Sequence, residues 1–185
     1  MANIKAAIVF LYGCDINSPL KLHLDNVVRV GHLRDIRHYI LCGGASQQNK
    51  FPGLTEACVA YEYLRDKVPL GSRFYLEENS LTSSDNARNG AWKLHEIDFE
   101  FGGVSQVFVF VEALRALKAA GFFRHFLPEF HPGTPDKMIR FETESWEQMD
   151  PALELAKTNY DFASIRFPFL AWLFRSWRKV RSRFI

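Results

Sequence analysis

Apolar positions along the chain recur at two spacings, one suited to strands and one to helices. Residues 6–12 (AAIVFLY) are apolar throughout, which suits a strand covered on both faces, as in a parallel sheet. Residues 22–36 carry Leu22, Val27, Val30 and Leu33 near helical spacing and predict a helix. Residues 39–42 (YILC) predict a second strand, stopped by Gly43 and Gly44, and the polar loop 45–53 ends in Pro52 and Gly53. Residues 54–67 predict a helix with Ala57, Ala60, Tyr61 and Leu64 on one stripe. A third strand, 74–76, leads into a polar turn, 77–82, and a helix over 83–95. That helix opens on Thr82-Ser83-Ser84-Asp85, a hydroxyl followed three residues later by an acid, which fits a capping box. Residues 106–111 (QVFVFV) predict a fourth strand, 112–120 a helix capped by Gly121, and 138–141 a fifth strand. Residues 151–157 and 168–183 predict further helices.

Strand and helix signals alternating across short loops predict an α/β fold, a three-layer sandwich around a mostly parallel central sheet. In such sheets ligands bind outside the carboxyl ends of the strands, near the point where strand order reverses. That rule gathers residues 13–15, Gly43 and Gly44, residues 77–82 and Glu112 along one edge. The chain divides on this reading into a domain over 1–164 and a basic, aromatic helix over 165–185.

Composition narrows the function classes. Hydrophobic residues at 48% and charged residues at 24% are ordinary for a globular domain, and a net charge of +2 argues against nucleic acid as a partner. The apolar run near the start is shorter than the roughly 20 residues of a membrane span and lacks the marks of a secretory signal, so a cytoplasmic location is expected. Cys14, Cys42 and Cys58 have no metal-ligand spacing and read as reduced packing thiols. The six histidines also lack metal spacing and are expected at the surface. Residues 165–185 hold six Lys/Arg and no acid; taken from a whole-chain +2, they leave −4 for residues 1–164.

Candidate chemistry lies at the predicted sheet edge. Gly43 and Gly44 suit a tight turn or a close backbone approach to a ligand, but match neither a dinucleotide fingerprint nor a phosphate-binding loop. Glu56, in the first turn of its helix, complements the helix dipole or accepts a hydrogen bond from a ligand hydroxyl, amine or water. Residues 76–87 (LEENSLTSSDNA) form the densest polar stretch after any strand, and capping does not require Glu77, Ser80, Thr82 and Asn86 together.

Gly43-Gly44, then Thr55-Glu56-Ala57 opening a helix, then Leu76-Glu77 with Ser80, Thr82 and Asn86-Ala87 form an ordered set. Over about residues 4 to 120 this set resembles the YdcF/SanA/ElyC-like family, a domain of unknown function. The resemblance implies a Rossmann-like fold and a site built from Gly13, Gly43, Gly44, Glu56, Glu77, Ser80, Thr82 and Asn86. It also implies a small-molecule ligand, since family members include cytoplasmic proteins described as binding S-adenosylmethionine, beside membrane-anchored proteins linked to bacterial envelope biogenesis. The chain departs from the family pattern in three places. Asn26 stands where an Arg is frequent, with Arg29 a turn away; Asp85 replaces Glu; and the segment Val111 to Ala116 after the fourth strand is shorter and lacks the family's His. Arg115 is left there as a cation suited to a carboxylate or phosphate.

Two functional readings follow. In the first, Glu56 and Glu77 serve as acid/base groups of a hydrolase or transferase acting on a nucleotide or S-adenosylmethionine-type metabolite. Gly13, Asp15, Gly43, Gly44, Ser80, Thr82, Asn86 and Arg115 would bind the ligand, Gly43 and Gly44 through backbone donors. Asp15, Glu56 and Glu77 on one rim would also suit Mg²⁺ held through waters. In the second, the domain binds a ligand without chemistry, or sits at the inner membrane surface through residues 165–185. Phe169, Leu173, Trp177, Val180 and Phe184 fall close to one helical face there, with basic residues largely elsewhere, which fits either an interfacial helix or a terminal helix covering the sheet.

Overall fold

The computed structural model describes residues 4–130, 139–144 and 150–167, together with 169, 170, 172, 173, 176 and 177. Five strands, β1 (Ile4–Phe10), β2 (His38–Cys42), β3 (Arg73–Glu77), β4 (Val104–Glu112) and β5 (Ile139–Glu144), form one sheet in the order β3-β2-β1-β4-β5. Every pairing in it is parallel. The helices are α1 (Ser18–Arg34), α2 (Glu56–Leu64), α3 (Ser83–Phe101), α4 (Ala116–Phe130) and α5 (Pro151–Arg166), and a 3-10 turn (Ala113–Arg115) joins β4 to α4.

Successive strand residues face opposite sides, and both sides are dry. Ala6, Ile8 and Phe10 of β1 pack with Ala91 and Leu94 of α3 and Phe122 and Phe123 of α4. Ala7 and Val9 pack with Leu24 and Val27 of α1 and Ala57, Ala60 and Leu64 of α2. Two apolar clusters on either side of one parallel sheet make the three-layer Rossmann-like sandwich, and this double burial explains why β1, β2 and β4 are apolar at nearly every position.

Several boundaries differ from the sequence reading. β1 ends at Phe10, so Leu11 and Tyr12 leave the sheet's middle and reach toward its carboxyl edge. α1 begins at Ser18, because the Asn17 side chain accepts from the Leu20 amide and Pro19 suits a first turn. α3 continues to Phe101, where Gly102 at φ 79° ends it. The largest correction concerns residues 112–121. Glu112 still belongs to β4, and α4 runs straight through Gly121. Gly121 is therefore not a cap. A Cβ there would lie 2.5 Å from Cζ of Phe162, so the missing side chain lets α5 pack against α4.

α5 continues to Arg166, well past residue 157, and β5 covers 139–144; Met138 of the predicted strand lies outside the described residues. The predicted helix over 168–183 falls largely outside them too, and is helical at 169–170, 172–173 and 176–177. His23 and His38 are buried rather than at the surface. Among the described residues no helix is long and apolar enough to cross a membrane.

Candidate functional site

Strand order reverses between β1 and β4, and the carboxyl ends of parallel strands leave a crevice at such a point. A cavity of about 480 Å³ opens there, within the usual size of small-molecule sites. Of the residues singled out in the sequence, Gly13, Glu56, Ser80, Thr82, Asn86 and Arg115 line it. Asp15, Gly43, Gly44 and Glu77 do not.

Each of these four has a local reason. Asp15 is exposed, on the solvent side of the β1–α1 loop. Gly43 and Gly44 were expected to offer backbone donors, but their N–H groups are already spent, on the carbonyls of Glu77 and Ser80 at 3.0 Å each. Their role is spatial. A Cβ on Gly43 would lie 2.7 Å from the Glu56 Cβ, and one on Gly44 2.3 Å from the Ser80 carbonyl oxygen. The two glycines thus let α2 and the loop after β3 close onto the end of β2, which brings Glu56 and Ser80 to the cavity.

Glu77 is buried and takes three donors. Its Oε1 accepts from the Asn79 amide at 2.9 Å and from Asn89 Nδ2 at 3.0 Å, and its Oε2 accepts from the Ser80 hydroxyl. Asn89 also donates to Ser80 Oγ at 3.1 Å. Glu77 is therefore the hub that fixes the loop after β3 and holds Ser80 in the wall. It does not line the cavity, and its place as a catalytic acid or base beside Glu56 is not what this packing favours. Thr82 caps α3 by accepting from the Asp85 amide at 3.1 Å, as the capping box predicts, and Ser83 and Asn86 of that first turn also line the cavity.

Glu56 is the cavity's carboxylate on the α2 side. It is 7% exposed, and its Oε1 accepts from the Ser46 hydroxyl. Gln47, next in the same loop, accepts from the Cys14 amide at 3.0 Å and so ties the loop after β2 to the loop after β1. Gly13 makes that contact possible, since its φ of 123° is open to glycine alone. Burial, with the Glu56 carboxylate nearby, pushes the Cys14 thiol up to about 11, and burial also raises the Cys42 thiol well above its ordinary value. Both are protonated, as packing thiols should be.

The opposite charge comes from the turn after β4 and from α5. Arg115 Nε and Nη2 donate to the two oxygens of Glu154 at 3.1 and 3.3 Å, and its guanidinium lies 4.4 Å over the Tyr12 ring. Lys118, 3% exposed, donates to Asp161 at 3.0 Å and lies 3.6 Å from Glu154. Lys157 donates to Glu154 at 2.9 Å. Burial opposes the charge on Glu154, but Arg115, Lys157 and Lys118 outweigh it and bring its carboxyl down to about 2. Three cations thus face two carboxylates at this end of the cavity, and Glu56 on the opposite, α2 side brings the charged lining to three cations and three carboxylates.

The sequence reading missed Tyr12, Ser46, Gln47, Lys118, Glu154, Lys157, Tyr160 and Asp161. A partial signal existed: Arg115 and Lys118 are three apart, and Glu154, Lys157 and Asp161 share one helical face. What could not be read was that α5 crosses back over the sheet edge.

The rim of carboxylates expected to hold Mg²⁺ does not form. Asp15 is outside the cavity, Glu77 is saturated by donors, and no group of three His, Cys, Asp or Glu with metal-binding geometry occurs among the described residues. No protein-family model, curated protein or solved structure matches the chain.

Proposed function

We propose that the chain binds a small polar metabolite with an anionic end, of the nucleotide or S-adenosylmethionine class, in the cavity between the ends of β1 and β4. The observation that carries this is the clustering of Arg115, Lys118 and Lys157 at one end of a cavity, three cations to the two carboxylates on that side, beside the first turn of α3. Guanidinium and ammonium groups beside helix N–H donors suit a carboxylate or phosphate. Glu56, on the α2 side, suits the hydroxyl or amine of the same ligand. The resemblance to the YdcF-like family supports the same ligand class.

Glu56 is the one carboxylate of the sequence-level catalytic pair that lines the cavity, so acid/base work in a hydrolase or transferase falls to it. Binding without turnover is the second reading. It is favoured by the Ser80 hydroxyl, which is committed to Glu77, and by the turn Ala113–Arg115 directly after β4, which holds no His.

Thermal denaturation with S-adenosylmethionine, nucleoside mono- and triphosphates and inorganic phosphate tests the proposal. A ligand at a hundred times its Kd adds about 2.7 kcal/mol of stability, which is several degrees in Tm. Stabilisation should be lost in Glu56→Gln and Arg115→Gln. No shift with any of these ligands overturns the proposal. Turnover of a stabilising ligand, followed by mass change, separates the enzyme from the binder.

A further inference from the structure

We infer that the segment following α5 docks the protein onto an anionic lipid surface. α5 ends at Arg166, and Phe167 leaves the helical region at φ −124°, ψ 93° before helical residues resume at Phe169. The resumed helix is therefore a separate element. If it served to cover the sheet, its large apolar side chains would be buried. Phe169 is instead 68% exposed, Trp172 62% and Leu173 47%, and Phe167 at the break is half-exposed. Phe169, Trp172 and Leu173 are spaced i, i+3, i+4, so they share one face, and the Phe169 and Trp172 rings stack at 6.0 Å.

Charge identifies the occupant of that face. Residues 165–185 carry Arg166, Arg175, Arg178, Lys179, Arg181 and Arg183 and no acid. A protein partner with an apolar groove would be served by the aromatic face alone. Aromatic anchors joined to an unbroken basic set match an interface of acyl chains beneath negative headgroups. The remainder of the chain is net negative, so an anionic surface attracts this segment and repels the domain, which orients the molecule tail-down.

The test is co-sedimentation of the full chain with vesicles of phosphatidylcholine alone and of phosphatidylcholine containing phosphatidylglycerol. Binding is expected to the anionic vesicles only, and to weaken as salt rises. Each basic residue near such a surface contributes roughly fivefold, so the pair Arg178→Gln and Lys179→Gln should lower partitioning about thirtyfold. The pair Phe169→Ser and Trp172→Ser, both exposed and so compatible with folding, should abolish it, with an unchanged thermal melt as the control. Absence of binding to anionic vesicles overturns the inference. So does binding that survives both double variants, or a concentration-dependent dimer in analytical ultracentrifugation that the Phe169/Trp172 pair dissolves.

Discussion

Arg115 and Glu154 meet at two points, Nε to Oε2 at 3.1 Å and Nη2 to Oε1 at 3.3 Å, and this pair joins the turn after β4 to α5. α5 is therefore part of the candidate site rather than an appendage to the sheet. Its Glu154 is 3% exposed and gathers three cations, so the same residue holds the helix in place and sets the charge of the cavity.

That arrangement predicts an acid-sensitive contribution to stability. The Glu154 carboxyl lies at about 2, below the ordinary 4.5. A depressed carboxylate stabilises the fold above its unfolded value and loses that contribution as pH falls toward its folded value. Wild-type stability should drop through the window from about 4.5 to 2, and Glu154→Gln should flatten that part of the curve in urea melts. At neutral pH the same substitution leaves Lys118 with Asp161 and Arg115 with no carboxylate, at a cost of about 3 kcal/mol.

His23 works in a different window. Its Nε2–H donates to the Phe10 carbonyl at 3.0 Å, and burial lowers the ring to about 4 from 6.5. Between those values the unfolded chain binds the proton and the folded chain does not, so stability rises with pH there and falls as pH drops from 6.5 to 4. The gap corresponds to about 3 kcal/mol. His23→Gln keeps a donor for the Phe10 carbonyl and removes the titration. A denaturant series from pH 7 to 4 should show the slope in the wild type and lose it in this variant; an unchanged slope would place the titrating group elsewhere.

Glu56 and Glu77 should separate in their phenotypes. Both are buried carboxylates on the β2–β3 half of the sheet, Glu77 at the end of β3 and Glu56 at the start of α2, yet only Glu56 lines the cavity. Glu77→Gln replaces an acceptor of three donors by a group that must turn a donor toward one of them, which costs about 1–3 kcal/mol. Its melt should fall while ligand affinity, corrected for stability, changes little. Glu56→Gln should do the reverse. Calorimetric binding beside a melt for each variant reads the split.

The strands and both apolar layers were legible in the sequence because double burial leaves an unbroken apolar run, as in IVF at 8–10 and VFVFV at 107–111. The α3 start was legible because Thr82 and Asp85 carry their own local chemistry. Half of the site was legible for the same kind of reason: Glu56, Ser80 and Asn86 sit at fixed short distances from strand ends. The other half was not. Lys118, Glu154, Lys157 and Asp161 look like ordinary solvated helix residues, and only the α4–α5 crossing at Gly121 and Phe162 turns them inward. Gly121 misled for the same reason, since a glycine that makes room for a ring reads in sequence like one that ends a helix. Glu77 was placed correctly at the sheet edge, but its burial beneath the loop, and hence its saturation by donors, is a tertiary fact.

Gly44 gives the sharpest steric prediction. Its φ lies outside the positive range, so alanine there suffers no backbone strain. The obstacle is contact: a Cβ would lie 2.3 Å from the Ser80 carbonyl oxygen and 2.8 Å from that of Glu78. Both atoms are backbone, and the Ser80 carbonyl already accepts from the Gly44 amide at 3.0 Å. The methyl therefore has to push the whole loop after β3, and Ser80 with it, away from β2. Gly44→Ala should cost about 3 kcal/mol in a urea melt. It should also weaken whatever ligand stabilises the wild type, because Ser80 and Thr82 move out of the cavity wall. Gly53→Ala is the matched control. Nothing lies within 4 Å of its Cβ, and its φ of 77° makes its penalty purely conformational, about 1 kcal/mol, with ligand binding untouched. Equal losses in the two variants would show that the loop after β3 yields freely and that Gly44 is not what fixes it.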